Sequence, residues 1–143
     1  MAKELGFAVI PEIKQAYATN KILGERGVPD TIEKMTLDQL ALFGYDSADD
    51  SCLMQTFEFS TLEALSESGS TLRRVLLANH PDLLSEGWIA KYKELGVYGV
   101  GLNKKYIVVT GPDGHINLTN NELIDRVRGK ATDKFIALLN FLF

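Results

Sequence analysis

The sequence predicts an α+β fold in which a small antiparallel sheet packs with about six helices. Residues 97–119 contain three short β-rich runs separated by turn residues, which predicts a three-stranded antiparallel meander. Elsewhere the chain repeats the spacing of the helix capping box, which is typical of helix starts. The alternating segment 52–60 is available to the sheet as a fourth strand.

The first predicted helix runs from about residue 11 to residue 23, with Pro11 in its first turn and Gly24 at its end. The preceding apolar run 5–10, LGFAVI, fits a buried strand or an extension of this helix, because periodicity does not separate the two. One helix or two short helices follow between 31 and 43.

An acidic loop, 45–51, leads into the predicted strand 52–60, whose side chains alternate between the two faces. Ser60 and Glu63 have capping-box spacing and predict a short helix. A further helix is predicted from 71 to 79 because TLRRVLLAN precedes a proline that prevents continuation.

A broken or single helix is predicted over 81–96. The runs 97–102, 105–110 and 115–119 then form the meander, and the Gly-Pro-Asp-Gly between the last two is a strong turn signal. Two final helices are predicted, one ending at Gly129 and one starting at about 131.

Composition predicts a single globular domain over residues 1–143. Hydrophobic residues make up 45% and charged residues 24%, which are ordinary globular values. No apolar run reaches the roughly 18 residues that a membrane span needs, and no signal peptide is recognised. The lone Cys52 suits a reducing compartment, so a cytoplasmic location without membrane attachment is expected.

Charge is distributed unevenly along the chain. Residues 1–70 hold five Lys/Arg against twelve Asp/Glu, a net −7, and residues 71–143 hold ten against seven, a net +3. The asymmetry fits two halves that complement each other, or a basic surface for a phosphorylated ligand or nucleic acid. The overall charge of −4 favours the first interpretation, because polyanion binding requires positive charge.

The chain ends with FIALLNFLF, residues 135–143, in which eight of nine residues are apolar. As a helix, the large apolar side chains cover an arc of about 220°, wider than the stripe of a surface helix. As a strand, both faces are apolar. Burying one such side chain is worth roughly 1.5–3 kcal/mol, so this segment is expected to be covered.

This segment can be buried in three ways: in the chain's own core, in a subunit interface, or at a membrane surface. A small domain has few elements with which to enclose it, so a homo-oligomer is predicted, with a two-fold dimer favoured. The membrane alternative lacks the flanking basic and aromatic residues of interfacial helices. The predicted interface residues are Phe135, Leu138, Leu139, Phe141, Leu142 and Phe143.

No catalytic signature, metal-ligand spacing, cofactor motif or phosphate loop is recognised in the sequence. His80 and His115 follow helix-break and turn residues without a nucleophile at motif spacing. The cluster Asp46, Asp49 and Asp50 lacks the alternating ligands and glycine of a calcium loop. No catalytic residue, metal or cofactor is therefore predicted.

A basic and aromatic group of residues is the best candidate for ligand binding. Arginine and lysine can hold phosphates while aromatic rings stack on bases. Trp88 and Tyr92 are four residues apart and are expected to share a helix face. The candidate ligand-binding residues are Arg73, Arg74, His80, Trp88, Tyr92, Lys104, Lys105 and His115. The alternative interpretation is that the aromatic residues are ordinary core residues and the basic residues are solvated surface cations.

The sequence favours a non-enzymatic, self-associating protein-interaction module with an unidentified protein partner. The alternative is a nucleotide or nucleic-acid binding protein, including a phosphodiester hydrolase, that uses the basic and aromatic residues within 73–115. Small size, a single cysteine and the lack of enzyme motifs suit an accessory protein of the kind that phages and mobile elements encode.

Overall fold

A computed structural model describes residues 3–103, 106, 108–118 and 136–140. The chain divides into two compact units, residues 1–76 and 77–143. Within the described residues there are four α-helices, one short 3₁₀ helix and seven β-strands. The expected single domain over 1–143 stays a prediction.

The first unit contains three helices, two strands and the first four residues of a third strand, which continues into the second unit. In chain order they are β1 (Glu12–Ile13), α1 (Ala16–Glu25), α2 (Ile32–Leu42), β2 (Leu53–Thr56), α3 (Phe59–Glu67) and β3 (Arg73–Ala78). β2 pairs with β1 on one side and with β3 on the other, and both pairings are parallel. Parallel neighbours need a crossover connection, which α1 and α2 provide before β2 and α3 provides after it.

One apolar core lies between these strands and helices. Along β2, Met54 and Thr56 are buried while Leu53 and Gln55 are half-buried, so the alternation that the sequence predicts is present. All three helices contribute a buried or half-buried apolar side chain to the cluster. Its members are Ile13, Ala16, Tyr45, Cys52, Met54, Leu65 and Leu72, with Val9, Ile32, Leu37 and Leu40 packed against them.

The limits of α2 follow from local chemistry. Thr31 precedes the helix, and its Oγ1 accepts a hydrogen bond from the Lys34 N–H at 3.3 Å. This bond satisfies one of the unpaired donors of the first turn. After the helix, Gly44 has φ +81°, a left-handed conformation that glycine adopts without the strain of a side chain. The helix predicted between 31 and 43 is therefore confirmed.

The second unit contains the remaining elements. They are a 3₁₀ helix (Pro81–Leu84), α4 (Glu86–Glu94), β4 (Val97–Asn103), β5 (Val108–Thr110), β6 (Ile116–Leu118) and β7 (Ile136–Asn140). β4 and β7 run parallel in a register that aligns Gly99 with Ile136 and Asn103 with Asn140. β5 and β6 form an antiparallel hairpin across the predicted Gly-Pro-Asp-Gly turn, in which Gly114 has φ +78°.

The predicted antiparallel meander over 97–119 is wrong, because β4 does not belong to the hairpin. Five of its seven residues, Gly99–Asn103, pair in parallel with β7, a partner more than thirty residues further along the chain. β4 is buried along most of its length, which is the pattern of a parallel strand covered on both faces. The segment 52–60 does provide a strand, but it pairs in parallel with β1 and β3.

Two predicted helices are also wrong. Residues 71–79 contain the strand β3, with Leu76, Leu77 and Ala78 all buried. The predicted helix from about 131 contains β7, which carries Leu138 and Leu139. Runs that are apolar on every side suit a buried parallel strand as well as a core helix. Phe135, Phe141, Leu142 and Phe143 lie outside the described residues, as does the helix predicted to end at Gly129.

The buried and exposed methionines of the first unit offer a matched test of this core. Met54 is 1% exposed on β2, whereas Met35 is 43% exposed on α2. We expect Met54→Ala to lower the free energy of unfolding by about 2–5 kcal/mol, because it leaves a cavity in the core. Met35→Ala should change it by less than about 0.5 kcal/mol. Urea unfolding measures both, and equal losses would contradict the assigned core.

Candidate functional site

A cavity of about 530 Å³ opens in the first unit between α2 and the end of α3. Its volume lies in the range of small-molecule sites. Leu37 and Ala41 of α2 and Leu72, just before β3, provide apolar lining. The charged lining consists of Glu33, Lys34, Asp38 and Asp46.

Glu33 is the most buried charged group of this cavity, with 6% of its surface exposed. Its Oε2 accepts a hydrogen bond from Asn20 Nδ2 at 2.8 Å. Asn20 Oδ1 in turn accepts from the Ile32 N–H at 2.7 Å. One amide side chain of α1 thus holds both a buried carboxylate and the first turn of α2.

The charge of the cavity determines which ligands it favours. Three carboxylates face one ammonium group, and Lys34 Nζ already donates to Asp38. Asp38 and the neighbouring Asp30 together raise the pKa of Lys34, the hydrogen bond to Asp38 being the larger cause. A net negative lining repels phosphates, so this cavity is better suited to a neutral or cationic group than to a nucleotide.

The carboxyl ends of β1 and β2 form a second place where ligands bind in parallel sheets. Here Gln15, between β1 and α1, has φ +52°, a left-handed conformation that costs a non-glycine residue energy. Glu58, which follows β2, accepts a hydrogen bond at Oε1 from the Ala16 N–H at 3.2 Å. The protein's own carboxylate therefore interacts with the amino terminus of α1, where an anionic ligand would otherwise bind.

The amino-terminal arm, residues 3–10, is tied to the loop that follows α2. Lys3 Nζ donates to the Gly44 carbonyl and to Asp50 Oδ1. Tyr45 donates through its hydroxyl to the Phe7 carbonyl at 3.4 Å. These contacts bring the arm and the end of α2 into the same region of the first unit.

This region carries large apolar side chains that are exposed. The arm contributes Leu5, Phe7 and Ile10, which are 63%, 62% and 57% exposed. Leu42 and Phe43, at the end of α2, are 76% and 63% exposed. We call these five residues the apolar surface. Single exposed apolar residues are common, whereas groups of them are enriched at the interaction sites of soluble proteins.

The two predicted ligand-binding arginines lie on β3, where neighbouring side chains point to opposite faces of the sheet. Arg74 is 8% exposed, and its Nη2 donates to the Ser70 carbonyl at 2.8 Å. Burial lowers the pKa of this guanidinium. Arg73 donates through Nη2 to the Asp50 carbonyl. Both cations hold backbone carbonyls of their own unit, and a shared phosphate contact is not favoured by this geometry.

Trp88 and Tyr92 lie on one face of α4, as their spacing predicts. Their rings are stacked with centroids 5.9 Å apart, and Lys91 Nζ lies 5.4 Å from the Trp88 centroid. Tyr92 is fully buried, which raises the pKa of its hydroxyl to about 12. Trp88 is half-buried. The pair has the features of a core contact with one ring reaching the surface.

The two histidines lie in separate exposed turns of the second unit. His80 Nδ1 accepts from the Asp82 N–H at 3.3 Å and lies 3.2 Å from Asp82 Oδ2. His115 lies in the β5–β6 turn, where its N–H donates to Asp113 Oδ1 at 3.0 Å. Lys104 and Lys105 lie outside the described residues. The proposed ligand role of this group stays a prediction.

The structure also bears on the cysteine, on metal binding and on membrane insertion. Cys52 is buried, and this burial raises the pKa of its thiol, which does not favour a nucleophilic role. In the part of the chain that the structure describes, no three or more His, Cys, Asp or Glu side chains are grouped to hold a metal ion. None of the described helices has the length and apolar character required to cross a bilayer.

Comparison with known proteins finds no family model that matches this chain and no matching curated protein.

The contacts that organise the site were not found by sequence reasoning. Asn20 contacts Glu33 across two helices, and Lys3 contacts Asp50 across forty-seven positions. One local signal was present for Asn20, because asparagine is unfavourable inside a helix unless its side chain is engaged. No local signal indicates which residue Lys3 contacts.

Removing the Asn20 amide tests the link between α1 and α2. We expect Asn20→Ala to lower the free energy of unfolding by about 1–3 kcal/mol, because it leaves the Glu33 carboxylate and the Ile32 N–H without their partner. The adjacent Lys21→Ala is the control, since Lys21 only forms an exposed pair with Glu25 at 3.9 Å. Chemical denaturation of both variants measures the difference.

The ion pair that holds the amino-terminal arm predicts a pH dependence. The Lys3 hydrogen bond, followed by those from the Ser47 and Asp46 N–H groups, lowers the pKa of Asp50 from 3.8 to about 2. Because the folded-state pKa is depressed, the stabilisation is complete above pH 4 and is lost as the pH falls from about 4 to about 2. NMR titration of the Asp50 carboxyl should show this midpoint.

Lys3→Met should raise the Asp50 midpoint towards 3.8, while Lys3→Arg should largely preserve it. A wild-type midpoint near 3.8 would show that the arm is not held by this pair.

Proposed function

We propose that this chain is a self-associating protein-interaction module without catalytic activity. The observation that carries the proposal is the apolar surface, where five large side chains of the arm and the end of α2 are more than half exposed. Ordered contacts hold these residues in place, since Lys3 and Tyr45 fix the arm against the loop after α2. An ordered apolar surface is suited to a protein partner.

A homodimer is the proposed form of this association, as two-fold dimers dominate among homo-oligomers. The apolar carboxyl-terminal segment stays a predicted part of the interface, alongside the apolar surface of the first unit. A role as a small accessory protein of phage or mobile-element type, in the cytoplasm, is compatible with this module and stays a prediction.

Binding of nucleotides or nucleic acids is the less favoured function. The arginines on β3 contact backbone carbonyls, and the described cavity carries more carboxylates than cations. Both features oppose the convergence of positive charge that a polyanion requires.

Light scattering coupled to size-exclusion chromatography tests self-association. At micromolar concentration the full chain, 15.8 kDa, should elute with about twice that mass. Phe7→Ser should weaken the dimer by roughly 10–100-fold, the loss expected when an aromatic interface residue is truncated. Tyr17→Ser is the matched control, because Tyr17 is 81% exposed but does not belong to the apolar surface. A monomeric wild type would overturn the proposed function.

A further inference from the structure

We propose that two copies of this chain join their sheets by antiparallel pairing of the outer edges of β1, with a two-fold axis at Ile10. This inference rests on the proposed function and names its partner and its contact. It depends on which backbone groups of residues 8–13 point towards β2 and which point away from it.

The odd-numbered residues of this segment point inward, towards β2. The Val9 N–H donates to the Ser51 carbonyl at 2.9 Å, and the Val9 carbonyl accepts from the Leu53 N–H at 3.0 Å. The Pro11 carbonyl accepts from the Gln55 N–H at 2.9 Å. In an extended chain, the backbone groups of alternate residues point to opposite sides.

The N–H and carbonyl groups of Ala8, Ile10 and Glu12 consequently point to the outer edge. Within the first unit, β2 is the only described strand that pairs with β1. Ala8 and Ile10 are exposed. This edge therefore presents a row of donors and acceptors to which another strand can add.

Two usual protections against strand addition, an outward-facing proline and a net charge, are absent from this edge. Proline normally blocks an edge by removing an outward donor, but the missing N–H of Pro11 is on the inner side. The charged residues also offer little protection, because Lys14 Nζ lies 3.4 Å from Glu12 Oε2 and the two charges offset each other. A second copy therefore meets no net charge along residues 8–14.

A two-fold axis at Ile10 makes the outer edge complementary to itself. Ile10 of one copy then lies opposite Ile10 of the other, and Ala8 lies opposite Glu12, so no like charges are directly opposed. On the face that carries the helices, Phe7 of one copy lies opposite Ile13 of the other. Two exposed apolar side chains per copy, Phe7 and Ile10, are covered by the same pairing.

Reciprocal charge substitutions at the axis test this arrangement. Ile10→Lys places two like charges opposite each other, as does Ile10→Glu, and each should weaken the homodimer about 100-fold or more. An equimolar mixture of the two variants should restore a dimer, since each lysine then faces a glutamate. Ile22→Lys is the control, because Ile22 is 49% exposed on α1 and does not belong to the paired segment 8–12.

Hydrogen exchange on the wild type gives a second readout that does not depend on a substitution. The amides of Ala8, Ile10 and Glu12 should become protected as the concentration rises through the dimerisation range. The Val9 amide, which is bonded within the chain, should be protected at every concentration. Circular dichroism of each variant confirms that the monomer is folded.

Each result has a distinct meaning. Loss of the homodimer in both variants with recovery in the mixture supports the two-fold pairing at Ile10. A wild-type dimer that persists in both variants overturns this pairing and leaves the proposed function intact. Loss without recovery also overturns it, because the edge then binds in another arrangement or binds a different protein. A monomeric wild type overturns the inference together with the proposed function.

Discussion

The parallel pairing of β1, β2 and β3 is the constraint on which the first unit depends. Parallel neighbours cannot be joined by a tight turn, so each pairing requires helices that cross over the sheet. These helices cover the face that carries Ile13 and Met54 and make the core possible. The exposed end of α2 and the cavity beside it are consequences of the same arrangement, because α2 lies on the first crossover.

Local chemistry in the sequence was sufficient for elements whose limits are set by neighbouring residues. The Thr31 cap, the left-handed Gly44 and the turn ending at Gly114 each act over a few positions and use residue types that favour caps and turns. The alternation along β2 was visible for the same reason, since one face is more buried than the other. These features needed no knowledge of the partner strand.

The errors arose where pairing over long sequence distances decides the structure. β3 ends with four apolar residues and β7 begins with four, and a short apolar run is shared by core helices and by strands buried on both faces. A core helix and a buried strand can be distinguished only by whether a strand partner is available. For β4 that partner is residues 136–140. The antiparallel meander was a reasonable local interpretation of 97–119, but adjacency in the chain does not ensure adjacency in a sheet.

The same distinction explains the candidate site. Arg73 and Arg74 are consecutive in the sequence and suggest a phosphate contact, yet a strand directs them to opposite faces. Conversely, no sequence pattern links Asn20 with Glu33, yet a hydrogen bond joins their side chains in the structure. The direction of side chains and the contacts between distant residues are therefore the two features that the sequence alone did not predict.

The direction of the backbone groups decides which pairing Pro11 affects. In the sequence, a proline between Ile10 and Glu12 argues against a strand that pairs with others. In the structure, its carbonyl is bonded to Gln55 while its missing donor faces β2, so the loss falls on the inner ladder. The inner pairing is thereby short, and β1 comprises only Glu12–Ile13. The outer edge keeps every donor, and the exposed side chains of Phe7 and Ile10 lie beside it. A proline in this position removes one donor from the pairing of β1 with β2 and removes none from the outer edge, because the N–H groups of Ala8, Ile10 and Glu12 alternate to the opposite side.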